Sequence, residues 1–123
     1  MEESPFKGKT GLRRVWNALF YSRAGFAAAF KYEDAFRQEV VLAAILIPLV
    51  FILPASNIGR ALMIASVLLV LIVELLNSAL EATVDRVSIE NHPLAKRAKD
   101  IGSAAVFVAL LNALIVWGIV LLG

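Results

Sequence analysis

Residues 58–87 read IGRALMIASVLLVLIVELLNSALEATVDRV, and this stretch decides the fold. From Ala61 to Val73 it is apolar apart from Ser66, long enough with its flanks to cross a hydrocarbon core of about 30 Å. Glu74 then interrupts the run and is followed by Asn77, Ser78, Glu81 and Asp85. At about 100° per residue these positions fall within roughly a third of a turn on one helical face, spread along about 16 Å of axis. An ionisable group deep in a membrane helix is read by default as part of a functional site, with partners on neighbouring helices.

Working outward, the chain has 123 residues, 60% of them hydrophobic and 18% charged, too apolar for an ordinary soluble core. It reads as one integral-membrane domain, all-α, with three spans expected over residues 33–55, 58–87 and 94–122. Pro48 lies inside the first apolar run, and Pro54 closes it before Ser56, Asn57 and Gly59 make a hairpin. Pro93 is placed to start the third helix, where Gly102, Ser103, Ala104 and Ala105 permit close helix approach. Ahead of the spans, Leu12, Val15, Trp16, Leu19, Phe20, Phe26, Ala27 and Phe30 recur at three- and four-residue steps among Arg13, Arg14, Asn17, Arg23 and Lys31. This predicts an amphipathic helix over 10–31 in the headgroup layer, with Gly25 a place where it can bend.

There is no cysteine, which excludes a disulfide framework, a thiolate zinc site and a Cys nucleophile. Met1 to Thr10 lack the apolar core of a signal peptide, so the first span is expected to be retained. Basic residues gather before the first span (Lys7, Lys9, Arg13, Arg14, Arg23, Lys31, Arg37) and between the second and third (Arg86, Lys96, Arg97, Lys99), while only Arg60 borders the first hairpin. The positive-inside rule places the N-terminus and second connection in the cytoplasm, and the first hairpin and C-terminus outside. Beside spans, these basic clusters read as topology signals or phosphate contacts and not as a nucleic-acid surface.

Depth separates the acidic residues. Counting about 1.5 Å per residue from Arg60, Glu74 lies about 21 Å in, Glu81 about 10 Å further near the cytoplasmic interface, and Asp85 in the headgroup layer. The same topology brings Glu33, Glu39, Lys99 and Asp100 to that interface. Carboxylates from two helices beside a lysine can hold Mg²⁺ and a polyphosphate, since Mg²⁺ is satisfied by one or two carboxylates with phosphate oxygens and water. Glu74, buried beneath them, is placed as a proton acceptor.

Plainer readings stand beside these. Glu33 and Arg37 are spaced for an i, i+4 ion pair. Asn77, Ser78 and Asn112 can serve as interhelical hydrogen-bond glue. His92, the only histidine, is either a surface residue or a nucleotide contact. No phosphate-binding glycine loop, dinucleotide fingerprint, H-E-x-x-H or G-x-S-x-G occurs, so any phosphate must be held by side chains and metal.

The run Glu74-Leu75-Leu76-Asn77-Ser78-Ala79-Leu80-Glu81-Ala82-Thr83-Val84-Asp85-Arg86, with Ala98-Lys99-Asp100-Ile101-Gly102-Ser103-Ala104-Ala105-Val106, closely resembles the prokaryotic integral-membrane diacylglycerol kinase family, over most of the chain from about Arg14. The resemblance implies a homotrimer, each subunit with three spans and a surface helix, and composite active sites between subunits at the cytoplasmic face of the bacterial inner membrane. It implies that Mg-ATP phosphorylates the free hydroxyl of diacylglycerol, giving phosphatidic acid and ADP. On that pattern Glu74 is the general base, and Glu33 and Glu81 are the metal carboxylates, which also contact the nucleotide. Arg14, Tyr21, Lys99, Asp100 and, more loosely, Glu90, Asn91 and His92 match nucleotide contacts. Asn77 and Asp85 match positions that shape the site, and Arg14, Arg60, Glu74 and Ser103 match positions at the lipid substrate. A Gram-positive branch phosphorylates undecaprenol with the same core motifs. Glu33-Asp34-Ala35-Phe36-Arg37-Gln38-Glu39 looks like the diacylglycerol branch, whereas Asn17, Phe20 and Arg23 depart from its usual surface helix.

Two other classes have distinct signatures. A small proton-coupled transporter would use Glu74 as a relay and move substrate without consuming ATP, but leaves Glu33, Lys99 and Asp100 at one interface unexplained. A non-catalytic scaffold would lose assembly, not turnover, on Glu81→Ala.

Overall fold

The computed structural model describes residues 11–87 and 92–123. Four helices follow one another: α1 (Gly11–Tyr32), α2 (Asp34–Val50), α3 (Asn57–Val87) and α4 (Pro93–Leu122). No strand occurs among the described residues. Two helices, α3 and α4, are long and apolar enough to cross a membrane. With 17 residues, α2 is about 25 Å long, short of a full crossing by itself. The apolar run after Val50 leaves the helix at Phe51, three residues beyond Pro48, whose ring removes one backbone donor from the last turn.

Helix α1 runs unbroken through Gly25, with only Ala29 buried. Leu12, Val15, Trp16, Leu19, Phe20, Phe26 and Phe30 stay exposed, an apolar face that the rest of the chain does not cover. The helix ends because Glu33 turns extended, at φ −115° and ψ 106°, before α2 begins. Arg37 holds this break together. Its guanidinium donates to the carbonyls of Phe30 at 2.7 Å and Lys31 at 2.9 Å, acceptors a helix C-terminus leaves open, and pairs with Asp34. The i, i+4 pairing of Arg37 with Glu33 expected from spacing is therefore replaced by Asp34, because Glu33 lies outside the helical register.

The α2–α3 hairpin is closed by Ser56, whose Oγ accepts from Gly59 N–H at 3.0 Å, and by Arg60. The Arg60 guanidinium donates to the carbonyls of Val50 and Leu53 at 3.3 Å and to Asn57 Oδ1 at 3.2 Å. Helices α3 and α4 then run antiparallel in close contact. Gly59 is buried where a Cβ would stand 2.8 Å from Val120 Cγ1. Further along, Trp117 Nε1 donates to Met63 O at 3.2 Å and to Ser66 Oγ at 3.1 Å, while Ser66 Oγ donates to Met63 O at 2.7 Å. At the far end Gly102 faces Asn77 and Leu80. Between two apolar helices in lipid, burial supplies no driving force, so close backbone approach and hydrogen bonds of about 0.6 kcal/mol each hold the pair. Phe36, Ala43, Val50, Met63, Val67, Val70 and Ala109 fill the interior, while most large side chains of α4 face outward.

Candidate active site

The polar face of α3 is the spine of the site. Glu74 is 6% exposed, a buried carboxylate on a helix whose other buried residues are small or apolar. The α2 residue facing it is Glu39, whose carboxyl comes within hydrogen-bonding reach of Glu74, while Glu81 and Glu33 are close enough to act on Glu74 electrostatically. A hydrogen bond between two carboxyl groups requires a proton between them, and with both ionised Glu39 Oε2 is buried with no donor.

One turn further, Asn77 Nδ2 donates to Glu81 Oε1 at 3.4 Å, the long end of hydrogen bonding. Asn77 Oδ1 and Ser78 Oγ are buried without partners. Beyond Glu81, Asp85 Oδ1 meets Lys99 Nζ of α4 at 2.6 Å, with Lys99 43% and Asp85 63% exposed. The site thus descends from an accessible ion pair to a buried carboxyl pair along one face of α3. Glu33, at the α1–α2 break, makes no capping bond with its side chain, so its carboxylate is left for α3. It lines a cleft of about 580 Å³ with Ser22, Phe26 and Tyr32 on one wall and Leu75, Ser78 and Ala82 on the other.

The remaining sequence candidates fall into groups. Lys99 and Asp100 are adjacent but diverge: Asp100 pairs with Lys96 at 2.8 Å and borders an outer groove with Arg97 and Ile101. His92 caps α4, its Nδ1 accepting from Leu94 N–H at 3.1 Å. Arg14, Tyr21 and Ser103 are exposed. Arg60 is engaged in the hairpin at the opposite end of α3, so the fold does not bring it to the carboxylates. Glu90 and Asn91 lie outside the described residues. Asn112 is half-buried on α4.

Glu39 was expected at the interface with Glu33 and Lys99, but the packing of α2 sets it against the buried Glu74 instead. The usable signal was helical spacing: with Phe36 three residues before and Ala43 four after, both buried, Glu39 lies on the face of α2 that packs inward. Among the described residues, no group of three or more acidic or imidazole side chains converges to hold a metal by itself. Among the described residues, Glu33 and Glu81 each keep a carboxylate oxygen without a side-chain donor, a donor set suited to Mg²⁺ shared with phosphate oxygens and water.

The model of the prokaryotic diacylglycerol kinase family matches residues 20–121. The chain belongs to this family. It is 63% identical to the diacylglycerol kinase of Pseudomonas aeruginosa over 123 residues, the whole of both chains. It is 56% identical to the diacylglycerol kinase of Haemophilus influenzae over 109 residues, 89% of this chain and 92% of that one. Identity to the diacylglycerol kinase of Escherichia coli K12 is 49% over 112 residues, 91% and 92% of the two chains. Family membership makes the chain a kinase, and its two apolar helices associate it with the membrane.

Proposed function

We propose that this chain transfers the γ-phosphoryl group of ATP to the free hydroxyl of 1,2-diacylglycerol, forming phosphatidic acid and ADP. It does so as a homotrimer with composite sites at the cytoplasmic face of the bacterial inner membrane, the C-terminus lying on the periplasmic side. Each subunit spans three times, residues 33–55 crossing as α2 together with the turn that follows it, and the uncovered apolar face of α1 lies in the headgroup layer.

The observation that carries this reading is Glu74, buried and facing Glu39 beneath the layer of Glu81, Asp85 and Lys99. Phosphoryl transfer asks mainly for positioning and charge stabilisation, which a few carboxylates and cations can supply. Glu74 accepts the acceptor hydroxyl's proton as that oxygen bonds to the γ-phosphorus and the bond to the β–γ bridging oxygen breaks. Glu39 orients the Glu74 carboxyl. Glu33 and Glu81 would hold Mg²⁺, which when bound neutralises charge on the transferring phosphates. Lys99, Arg14, Tyr21 and Asp100, with Glu90, Asn91 and His92, contact the nucleotide; Asn77 and Asp85 shape the site. Arg14 and Ser103 contact lipid, whereas Arg60, held in the hairpin at the far end of α3, takes no part in this site.

The test is an in vitro comparison of acceptors. Purified protein in detergent or bilayer with Mg-ATP is given short-chain diacylglycerol or undecaprenol. Phosphatidic acid from the first at a rate well above undecaprenyl phosphate from the second is the expected result. The reverse order would reassign the acceptor, and no phosphorylated lipid from either would remove the proposal.

A further inference from the structure

Near the site α4 approaches α3 closely at Gly102, and the approach bears on one side chain in particular. A Cβ added to Gly102 would fall on Asn77 Oδ1, and would stand 3.2 Å from Asn77 Cγ and 3.0 Å from Leu80 Cδ2. The two neighbours differ in their freedom to yield. Leu80 is 37% exposed, so its methyl tip can swing outward. Asn77 cannot retreat without moving its amide, whose Oδ1 is buried against α4 and whose Nδ2 donates to Glu81 Oε1. Gly118 on the same helix provides a contrast, since a Cβ there meets nothing within 4 Å.

We infer that Gly102 is a positioning residue for nucleotide binding: its lack of a side chain leaves the space in which Asn77 stands to orient the Glu81 carboxylate. The inference rests on reading Glu81 as a carboxylate of the nucleotide site. Among the described residues, Asn77 is the side chain that donates to the Glu81 carboxylate. An added methyl at position 102 displaces the Asn77 amide, the donor is lost, and Glu81 relaxes toward water. A hydrogen bond to a charged group lost in this way weakens Mg-ATP binding by roughly tenfold.

The experiment measures equilibrium binding of Mg-ATP, without acceptor lipid, to wild type, Gly102→Ala, Gly118→Ala, Asn77→Ala and Asn77→Ala/Gly102→Ala, with thermal unfolding of each. Binding by wild type and Gly118→Ala, with about tenfold weaker binding by Gly102→Ala, is expected. The Gly118 control removes the general gain in helix propensity that Ala brings over Gly. In an Asn77→Ala background the Gly102→Ala change should weaken binding no further, because the space is empty. If Gly102→Ala alone does not fold, Asn77→Ala should restore folding in that background. Unchanged binding by Gly102→Ala, a full additional loss in the Asn77→Ala background, or failure of Asn77→Ala to rescue folding overturns the inference. No Mg-ATP binding by the wild type overturns the function beneath it instead.

Discussion

Glu74→Gln tests the proposed chemistry most directly, because the structure separates its effect on shape from its effect on proton transfer. The glutamine side chain has the same heavy-atom outline, so a position that is 6% exposed is refilled without a cavity. The new amide can donate to Glu39, whose Oε2 has no donor when both acids are ionised. Folding stability should therefore stay within about 1 kcal/mol of wild type, the net worth of one hydrogen bond. What the amide cannot do is accept the hydroxyl proton. A positioned general base contributes about 10²–10⁴ in rate, so about 3–5 kcal/mol should be added to the barrier at 1.36 kcal/mol per decade. The assay is phosphatidic acid formed from labelled ATP and short-chain diacylglycerol, run beside thermal unfolding and Mg-ATP binding. Turnover should fall to below about a hundredth while stability and nucleotide affinity hold. Retention of most of the turnover would refute the base assignment, and loss of affinity in step with turnover would show Glu74 acting on the nucleotide.

Three further outcomes follow from the same geometry. Lys99→Met removes an ion pair whose members are 43% and 63% exposed, so stability should change by under about 1 kcal/mol, while the KM for Mg-ATP rises with a smaller change in kcat; an unaltered KM in steady-state kinetics would take Lys99 out of nucleotide binding. Trp117→Phe deletes the donor shared by Met63 O and Ser66 Oγ, and should lower resistance to thermal or detergent unfolding by about 0.6–1.7 kcal/mol with kinetics unchanged; a kinetic defect at full stability would contradict a purely structural clamp. Chelation of divalent cations should stop turnover and leave helical circular dichroism intact, with recovery on adding Mg²⁺; turnover that persists in excess chelator would discard Glu33 and Glu81 as metal carboxylates.

The burial of Glu74 was legible because it depends on one helix only: an apolar run of known rise fixes a residue's depth, and a polar stripe fixes its face. Topology put Lys99 at the same interface as the end of this stripe, and there it meets Asp85 at 2.6 Å. What required the structure was every feature set by how two helices join or slide. Arg37 has an acid four residues before it and another three before it, and spacing alone favoured Glu33. The extended backbone at Glu33 takes that residue out of register, and no periodicity announces it. The Trp117–Ser66 bond likewise depends on the register of α4 against α3, set by the close approaches at Gly59 and Gly102. Small residues in both helices signalled that an approach was allowed, but not which side chains it would bring together. The divergence of Lys99 and Asp100 follows from adjacency on a helix, where successive side chains point about 100° apart. A matched motif treats neighbours as one unit, and the helix does not.

The order of groups along α3 is itself a physical argument for where the reaction occurs. A fully charged pair is tolerated where solvent can reach it, and Asp85–Lys99 stands at such a level. The same pair placed at Glu74's depth would forfeit hydration that its mutual attraction need not repay. At that depth the chain instead opposes two carboxyl groups, Glu39 and Glu74, which one proton can join. On the proposed function, a polyphosphate would remain with the accessible charges, and a lipid hydroxyl carried by apolar chains would come up from the other side. Between the two levels stand Asn77, about one turn from Glu74, and Glu81, about one turn from Asp85, joined by a hydrogen bond. The proposal therefore has the γ-phosphoryl group and the acceptor hydroxyl meet in that intermediate layer. The side chain fixing its geometry is an asparagine whose place depends on a glycine of the opposite helix.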